Sequence, residues 1–256
     1  MENIGLNLYS IRTLISTEED FLATCKKLKE MGYTKIQYSG AAFDPDRIKR
    51  VSEEVSMPVV LTHVPIDRII NDTYNLMEDH KKFNCFEIGL GSLPWGAVLN
   101  EEECKEKIKK LNEAGRIMAE NGFKFTYHHH HVEFYKFSNN ETLFDYIIRT
   151  APYINFTIDT YWLQYGGVDI LSTLDKLKGR VQCVHLKDYK IFADKEKVDF
   201  KPDFAPCGSG TLDFKKIVSK LKEIGCEHFL VEQDNACELD HTMDLIKESI
   251  DYLKTI

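Results

Sequence analysis

Four stretches in the second half of the chain carry an imidazole or a carboxylate at the end of a short apolar run. Phe229-Leu230-Val231 closes on Glu232, and Ile154-Asn155-Phe156-Thr157-Ile158 closes on Asp159. Val184-His185-Leu186-Lys187-Asp188 sets His185 and Lys187 on one face by the two-residue period of a strand. A fourth run leads into Tyr127-His128-His129-His130-His131-Val132-Glu133-Phe134. Burying any one of these groups unpaired costs several kcal/mol, and a single cation relieves that cost for several of them at once. Oxygen donors with imidazole and no thiolate suit one divalent ion (Mn²⁺, Mg²⁺, Co²⁺ or Zn²⁺) without selecting among them. Taken singly, each residue has an ordinary reading as a hydrogen-bonded strand end or a helix cap. Four successive runs ending this way make a shared site the better account.

Something must bring those ends together. Short apolar runs that read as buried parallel strands recur roughly every 30 residues, with amphipathic helical patterns between them. The expected strands are Ile4 to Tyr9, Lys35 to Tyr38, Val59 to His63, Cys85 to Leu90, Lys124 to His128, Asn155 to Asp159, Gln182 to Lys187 and His228 to Gln233. Helices are expected over Glu18 to Glu30, Asp44 to Val55, Asn71 to Lys82, Glu101 to Asn121, Glu141 to Thr150, Asp169 to Lys178, Asp213 to Ile224 and Asp240 to Leu253. Gly32, Gly122 and Gly225 each stand just past a helix, where a left-handed C-cap suits glycine. Eight such units in 256 residues predict one closed (β/α)₈ barrel, a TIM barrel, over residues 1–256. The open doubly wound sheet is the rival, but Leu8-Tyr9-Ser10-Ile11-Arg12 lacks the Gly-rich phosphate turn such a sheet carries after its first strand.

A barrel places its chemistry at the C-terminal strand ends. Besides the four stretches above, those ends offer Tyr9 with Arg12, Tyr38, His63, Glu87 and Asp234. Ile191 to Gly210 reads as the longest irregular connection, of the kind that often forms a lid.

A net charge of −8 argues against nucleic acid as the main partner, since a basic stripe is its usual footprint. No apolar stretch approaches the ~20 residues that span a bilayer. The N-terminal residues show no basic-then-apolar leader. The seven cysteines are scattered with no Cys-x-x-Cys pair, which suits reduced thiols in the cytoplasm.

At the strand-end residues the chain resembles the sugar phosphate isomerase/epimerase family, the xylose isomerase-like barrels that share a fold with endonuclease IV-type repair enzymes. Tyr9-Ser10-Ile11-Arg12 is similar to the family's Tyr-Ser-x-Arg, and Tyr127-His128-His129-His130 with Glu133-Phe134 to its Tyr-His-Asn-His-x-x-Glu-Phe. Asp159-x-x-Trp162, Gly166-Gly167-x-Asp169, His185-Leu186-Lys187-Asp188, Gly208-x-Gly210-x-x-Asp213-Phe214 and Val231-Glu232-Gln233-Asp234 follow in order. The departures are His129 in place of Asn and an extra His131 before Val132 and Glu133. The resemblance implies a metal held by Glu133, Asp159, His185 and Glu232, with His128 or His130 in reserve for the first of these. The expected reaction is isomerisation or epimerisation of a small sugar or polyol. Glu133 or Glu232 would take the proton beside a carbonyl, and Lys187 with His63, His128 or His130 would hold oxygens. Tyr9 and Trp162 would pack on the sugar's apolar face.

Three other readings stand beside this one. A dehydratase acting on a keto-inositol or 3-keto-sugar begins with the same proton abstraction. A repair nuclease needs more histidines, where this chain has Tyr38 and Asp159-x-x-Trp162, and a less negative charge. A non-catalytic carbohydrate-binding subunit would need no metal. A homo-oligomer is compatible with all of these.

Overall fold

The computed structural model describes residues 1–256. Eight parallel strands close on themselves: β1 (Ile4–Asn7), β2 (Lys35–Tyr38), β3 (Val59–His63), β4 (Glu87–Leu90), β5 (Lys124–His128), β6 (Asn155–Asp159), β7 (Val181–Leu186) and, after two strands outside the barrel, β10 (His228–Val231). The ring closes where β1 pairs with β10, Leu6 opposite Val231. The expected TIM barrel is the observed fold.

Its outer ring of helices follows from the local sequence. Thr17 accepts from Asp20 N–H ahead of an acidic first turn, opening Glu18–Met31. Asp44 does the same for Pro45–Val55, with proline at the first helical position. Asn100, Thr142, Asp169 and Asp213 cap four later helices through their side chains. Gly32 ends the first helix at φ 97°, a left-handed conformation cheap only without a Cβ.

Leucine, isoleucine, valine and phenylalanine fill the layer between strands and helices. Inside the barrel the side chains alternate with the strand period. A small layer of Leu61, Cys183 and Leu230 packs low down. Two residues further along the same strands stand His63, His185 and Glu232, so the residues that pack the middle and those that face the mouth share one face. Gly89 leaves room there, since a Cβ on it would meet Thr62 O at 2.7 Å and His63 Cδ2 at 2.9 Å.

Three expectations need correction. The helix expected over Asn71 to Lys82 is observed as Thr73–Lys81, and a short helix not expected, Ile66–Asn71, precedes it, the two separated at Asp72, whose φ of −139° breaks the spiral. The first strand ends at Asn7, because Leu8–Leu14 winds into a 3₁₀ helix. The connection after β7 is ordered: β8 (Asp188–Asp194) and β9 (Asp199–Ala205) form an antiparallel ribbon. Pro202 hid it, since proline is foreign to a central strand but tolerated where no further strand pairs.

Candidate metal centre

The tops of β5, β6, β7 and β10 bring His128, Asp159, His185 and Glu232 together. One donor atom from each lies within 4.8 Å of all the others, and all four residues are buried. His185 Nδ1 stands 2.8 Å from Glu232 Oε2 and 3.9 Å from Asp159 Oδ2. His128 Nε2 stands 3.5 Å from the same Asp159 oxygen.

The outward-facing nitrogens of both imidazoles are already engaged. His128 Nδ1–H donates to Gly91 O at 2.8 Å, an oxygen that can only accept. His185 Nε2–H donates to Gln37 Oε1 at 2.7 Å. Each ring therefore turns a lone pair inward, the tautomer of a metal-ligating histidine whose other nitrogen is held by an outer partner. With Nε2 carrying the ring proton, His185 Nδ1 and Glu232 Oε2 face each other at 2.8 Å with no proton between them, an arrangement that a bound cation relieves. The donor set fits one divalent ion bound by two imidazoles and two carboxylates.

The charge balance points the same way. Lys187 Nζ reaches Asp159 Oδ2 (2.8 Å), Glu232 Oε2 (3.0 Å) and Asp234 Oδ1 (3.0 Å). Three carboxylates against one ammonium leave two negative charges, the amount a divalent cation neutralises. Burial works to discharge Lys187, yet Asp159, Asp234 and Glu232 hold it well above the usual lysine range. Burial likewise opposes the charge on Asp159, but the Lys187 ammonium keeps its carboxyl at about 2.

Glu133 is not part of this group. It is fully buried, with Oε1 accepting from Tyr127 Oη at 2.7 Å and Oε2 from His130 N–H at 2.7 Å. The short helical turn Val132–Phe134 folds it back beneath the loop, and His128 occupies the corner the sequence reading gave first to Glu133. Burial raises its pKa although Tyr127 and His130 oppose this. A carboxylate so enclosed organises the loop and does not face a substrate.

A cavity of about 290 Å³ opens beside the four residues. Tyr9, Ser39, His63, Ser92, His130 and Asp234 line it together with His128, Lys187 and Glu232. Of the residues expected to meet substrate, Tyr9, His63, His128, His130 and Lys187 are therefore brought to one place. Trp162 sits at the rim, its ring 5.6 Å from Lys187 Nζ and 5.2 Å from the His130 ring. His129 turns away and accepts the Asp159 N–H.

Sequence reasoning missed Asn7 and Gln37. Asn7 Nδ2 donates to Glu232 Oε1 at 2.6 Å, and Ser39 Oγ–H donates to Asn7 Oδ1. Neutral amides leave no charge signal, but both residues share strand parity with inward neighbours, Asn7 with Gly5 and Gln37 with Lys35. That parity was there to be read.

The Gly208-x-Gly210 pair also finds its reason. Asp188 accepts from the Gly208, Gly210 and Leu212 N–H groups, and a Cβ on Gly210 would stand 2.3 Å from Asp188 Oδ1. No helix is long and apolar enough to cross a membrane.

Comparison with known proteins adds context. The chain is 35% identical over 156 residues to an inosose dehydratase of Clostridium perfringens, covering 54% of this chain and 50% of that protein. An inosose dehydratase of Geobacillus thermodenitrificans is 34% identical over 152 residues, again at 54% and 50%. The chain thus spans about half the length of the curated relatives it matches. In fold it is similar to a sugar phosphate isomerase/epimerase from Parabacteroides distasonis, with TM-score 0.80, 20% identity and coverage of 99% and 93%. The family model for xylose isomerase-like TIM barrels matches residues 25–256, and the chain belongs to that family.

Proposed function

We propose that this chain removes the proton beside the carbonyl of a small keto-polyol and carries the reaction through to loss of water. The observation that bears most weight is the buried group of His128, Asp159, His185 and Glu232 with Lys187 at its side. These four residues would hold the divalent ion, which when bound polarises the substrate's carbonyl and adjacent hydroxyl as a Lewis acid. Glu232 borders the cavity and takes the carbon-bound proton. Lys187 faces the oxygen on which negative charge gathers. Glu232 then passes that proton to the departing hydroxyl, while Asp234, 3.0 Å from Lys187 and also bordering the cavity, holds the ammonium in place. His63, His130, Ser39 and Ser92 offer hydrogen bonds to the remaining hydroxyls.

Isomerisation or epimerisation, the reaction expected first from sequence, begins with the same proton abstraction. The dehydratase reading is preferred because the relatives above 30% identity are inosose dehydratases. Lys187 is the one cationic side chain lining the cavity, and three carboxylates already surround it. A phosphate would find no free cation there, which supports an unphosphorylated substrate.

The test uses Mn²⁺-supplied protein in D₂O with a panel of keto-inositols and ketoses. NMR reads exchange at the carbon beside the carbonyl, and ultraviolet absorbance reads the unsaturated ketone of dehydration. Exchange that disappears in Glu232→Gln while the circular dichroism stays native supports the reading. Undiminished exchange in that variant removes it, and an epimer without unsaturated product moves the outcome to epimerisation.

A further inference from the structure

A groove of about 540 Å³ opens on the same face of the barrel as the polyol cavity. Three successive loops build it: the helical turn Trp95–Val98 after β4, the segment His131 to Tyr135 after β5, and Tyr165 at the end of the helix Thr160–Tyr165 after β6. No Asp, Glu, Lys or Arg lines it. Its surface is Trp95, Leu99, Tyr135 and Tyr165, each at least half exposed. Large apolar side chains left open along one groove mark a binding surface.

Groove and cavity meet at one wall. His130 lines the cavity, His131 lines the groove, and the Trp162 ring lies 5.2 Å from each. Trp95 reaches both imidazoles as well, at 6.0 and 5.5 Å. That wall carries three buried ring nitrogens without a hydrogen-bond partner: His130 Nδ1, His131 Nδ1 and Trp162 Nε1. Buried polar atoms are nearly always paired, so three orphans in one place point to an oxygen of a bound ligand.

The two compartments suit different chemistry. The cavity offers hydrogen bonds to a ring of hydroxyls, whereas the groove's polar side-chain atoms are the Tyr135 and Tyr165 hydroxyls, the His131 imidazole and the Trp95 indole N–H. A second sugar would bury hydroxyls there with too few partners. A flat apolar group would not. The Trp95 and Tyr165 rings stand at 85° and 79° to the His131 ring, so a further ring meets both faces and edges to pack on. We propose that the keto-polyol carries an aryl ether, with the polyol ring in the cavity, the aromatic ring in this groove, and the ether oxygen crossing at the wall of His130, His131 and Trp162. This rests on the functional reading above, which seats the polyol in the cavity, and adds the class of its substituent.

The probes are matched mono-O-phenyl and mono-O-methyl ethers of a keto-inositol, one pair for each ring position, titrated calorimetrically into Mn²⁺-supplied protein. At one position the phenyl ether is expected to bind about 10- to 100-fold tighter than its methyl partner, the gain from burying one aromatic ring. The chain's two tryptophans are Trp95 and Trp162, so this binding also shifts the intrinsic fluorescence. Leu99→Asp and Tyr165→Ser, both at exposed positions and checked for native circular dichroism, bring the phenyl-to-methyl ratio toward one. Equal binding of the two ethers at every position, no binding of either, or a phenyl preference that survives both variants overturns the proposal. So does a glucosyl ether that binds as tightly as the phenyl ether, which makes the groove a sugar subsite. Binding is read here without turnover. A phenyl preference therefore stands even in a protein without Glu232-dependent exchange, and exchange stands where the preference fails.

Discussion

Gln37 and His185 meet across the interior of the barrel, Oε1 to Nε2 at 2.7 Å, although their strands are not neighbours. The amide fixes which nitrogen of the imidazole keeps its lone pair. Gln37→Leu, which cannot accept the Nε2–H, is expected to weaken Mn²⁺ binding by about 10- to 100-fold, the usual effect of losing an outer partner. Gln37→Glu still accepts and should restore most of the affinity. Calorimetric titration of the two variants decides, and equal affinity for Gln37→Leu and wild type would refute the assignment.

Lys187 is expected to hold the metal-free protein together. Its removal in Lys187→Met leaves Asp159, Glu232 and Asp234 facing one another without a cation. Breaking a buried charge group from one side costs about 3–5 kcal/mol. Urea unfolding in the presence of a chelator should show that loss, and saturating Mn²⁺ should recover part of it by binding only the native state. A variant as stable as wild type in chelator would contradict the charge argument.

Exchanging Glu133 and His128 in turn separates the two candidates from the β5 segment. Glu133→Gln should leave Mn²⁺ affinity close to wild type, because the carboxylate is spent on Tyr127 and His130. His128→Ala should lower the affinity by more than the roughly 10–100-fold typical of an outer partner. The reverse order of effects would return the ligand role to Glu133.

His80 provides a pH dependence remote from the centre. It is buried between Thr62 Oγ1 and Leu76 O, both at 2.7 Å, and burial lowers its pKa to about 4. The unfolded chain, with a histidine pKa near 6.5, takes up the proton first. Stability is therefore fully present above about pH 6.5 and declines as the pH falls toward 4, by roughly 3 kcal/mol at most. His80→Gln should flatten this decline when urea midpoints at about pH 7.5 and about pH 5 are compared. Parallel declines in the two proteins would rule out the His80 contribution.

Much of this was legible in the sequence, for identifiable reasons. β2, β3, β5 and β6 run over the residues expected of them, because a buried parallel strand bounded by helix caps has little freedom in its limits. Asp159 and Glu232 were readable because each closes an apolar run, and His185 because it shares the inward parity of its strand with Lys187. Glu133 was misplaced because strand periodicity stops at His128, and nothing in the residues announces that Val132–Phe134 will coil back. The same periodicity, followed from Lys124 through Thr126, does end on His128. The ribbon escaped notice because its apolar face is written on alternate positions, between lysines and aspartates and across a proline.

The donors to the ion would come from β5 onward, while the amides that aim two of them come from the first forty residues. Asn7 steadies Glu232 at the very junction where β1 meets β10, and Gln37 steadies His185 from β2. Affinity for the ion is thereby tied to closure of the ring. A chain in which the last strand has not yet docked against the first would hold most of the ligands but not their orientation, so tight uptake of metal would be among the final events of folding and a measure of its completion.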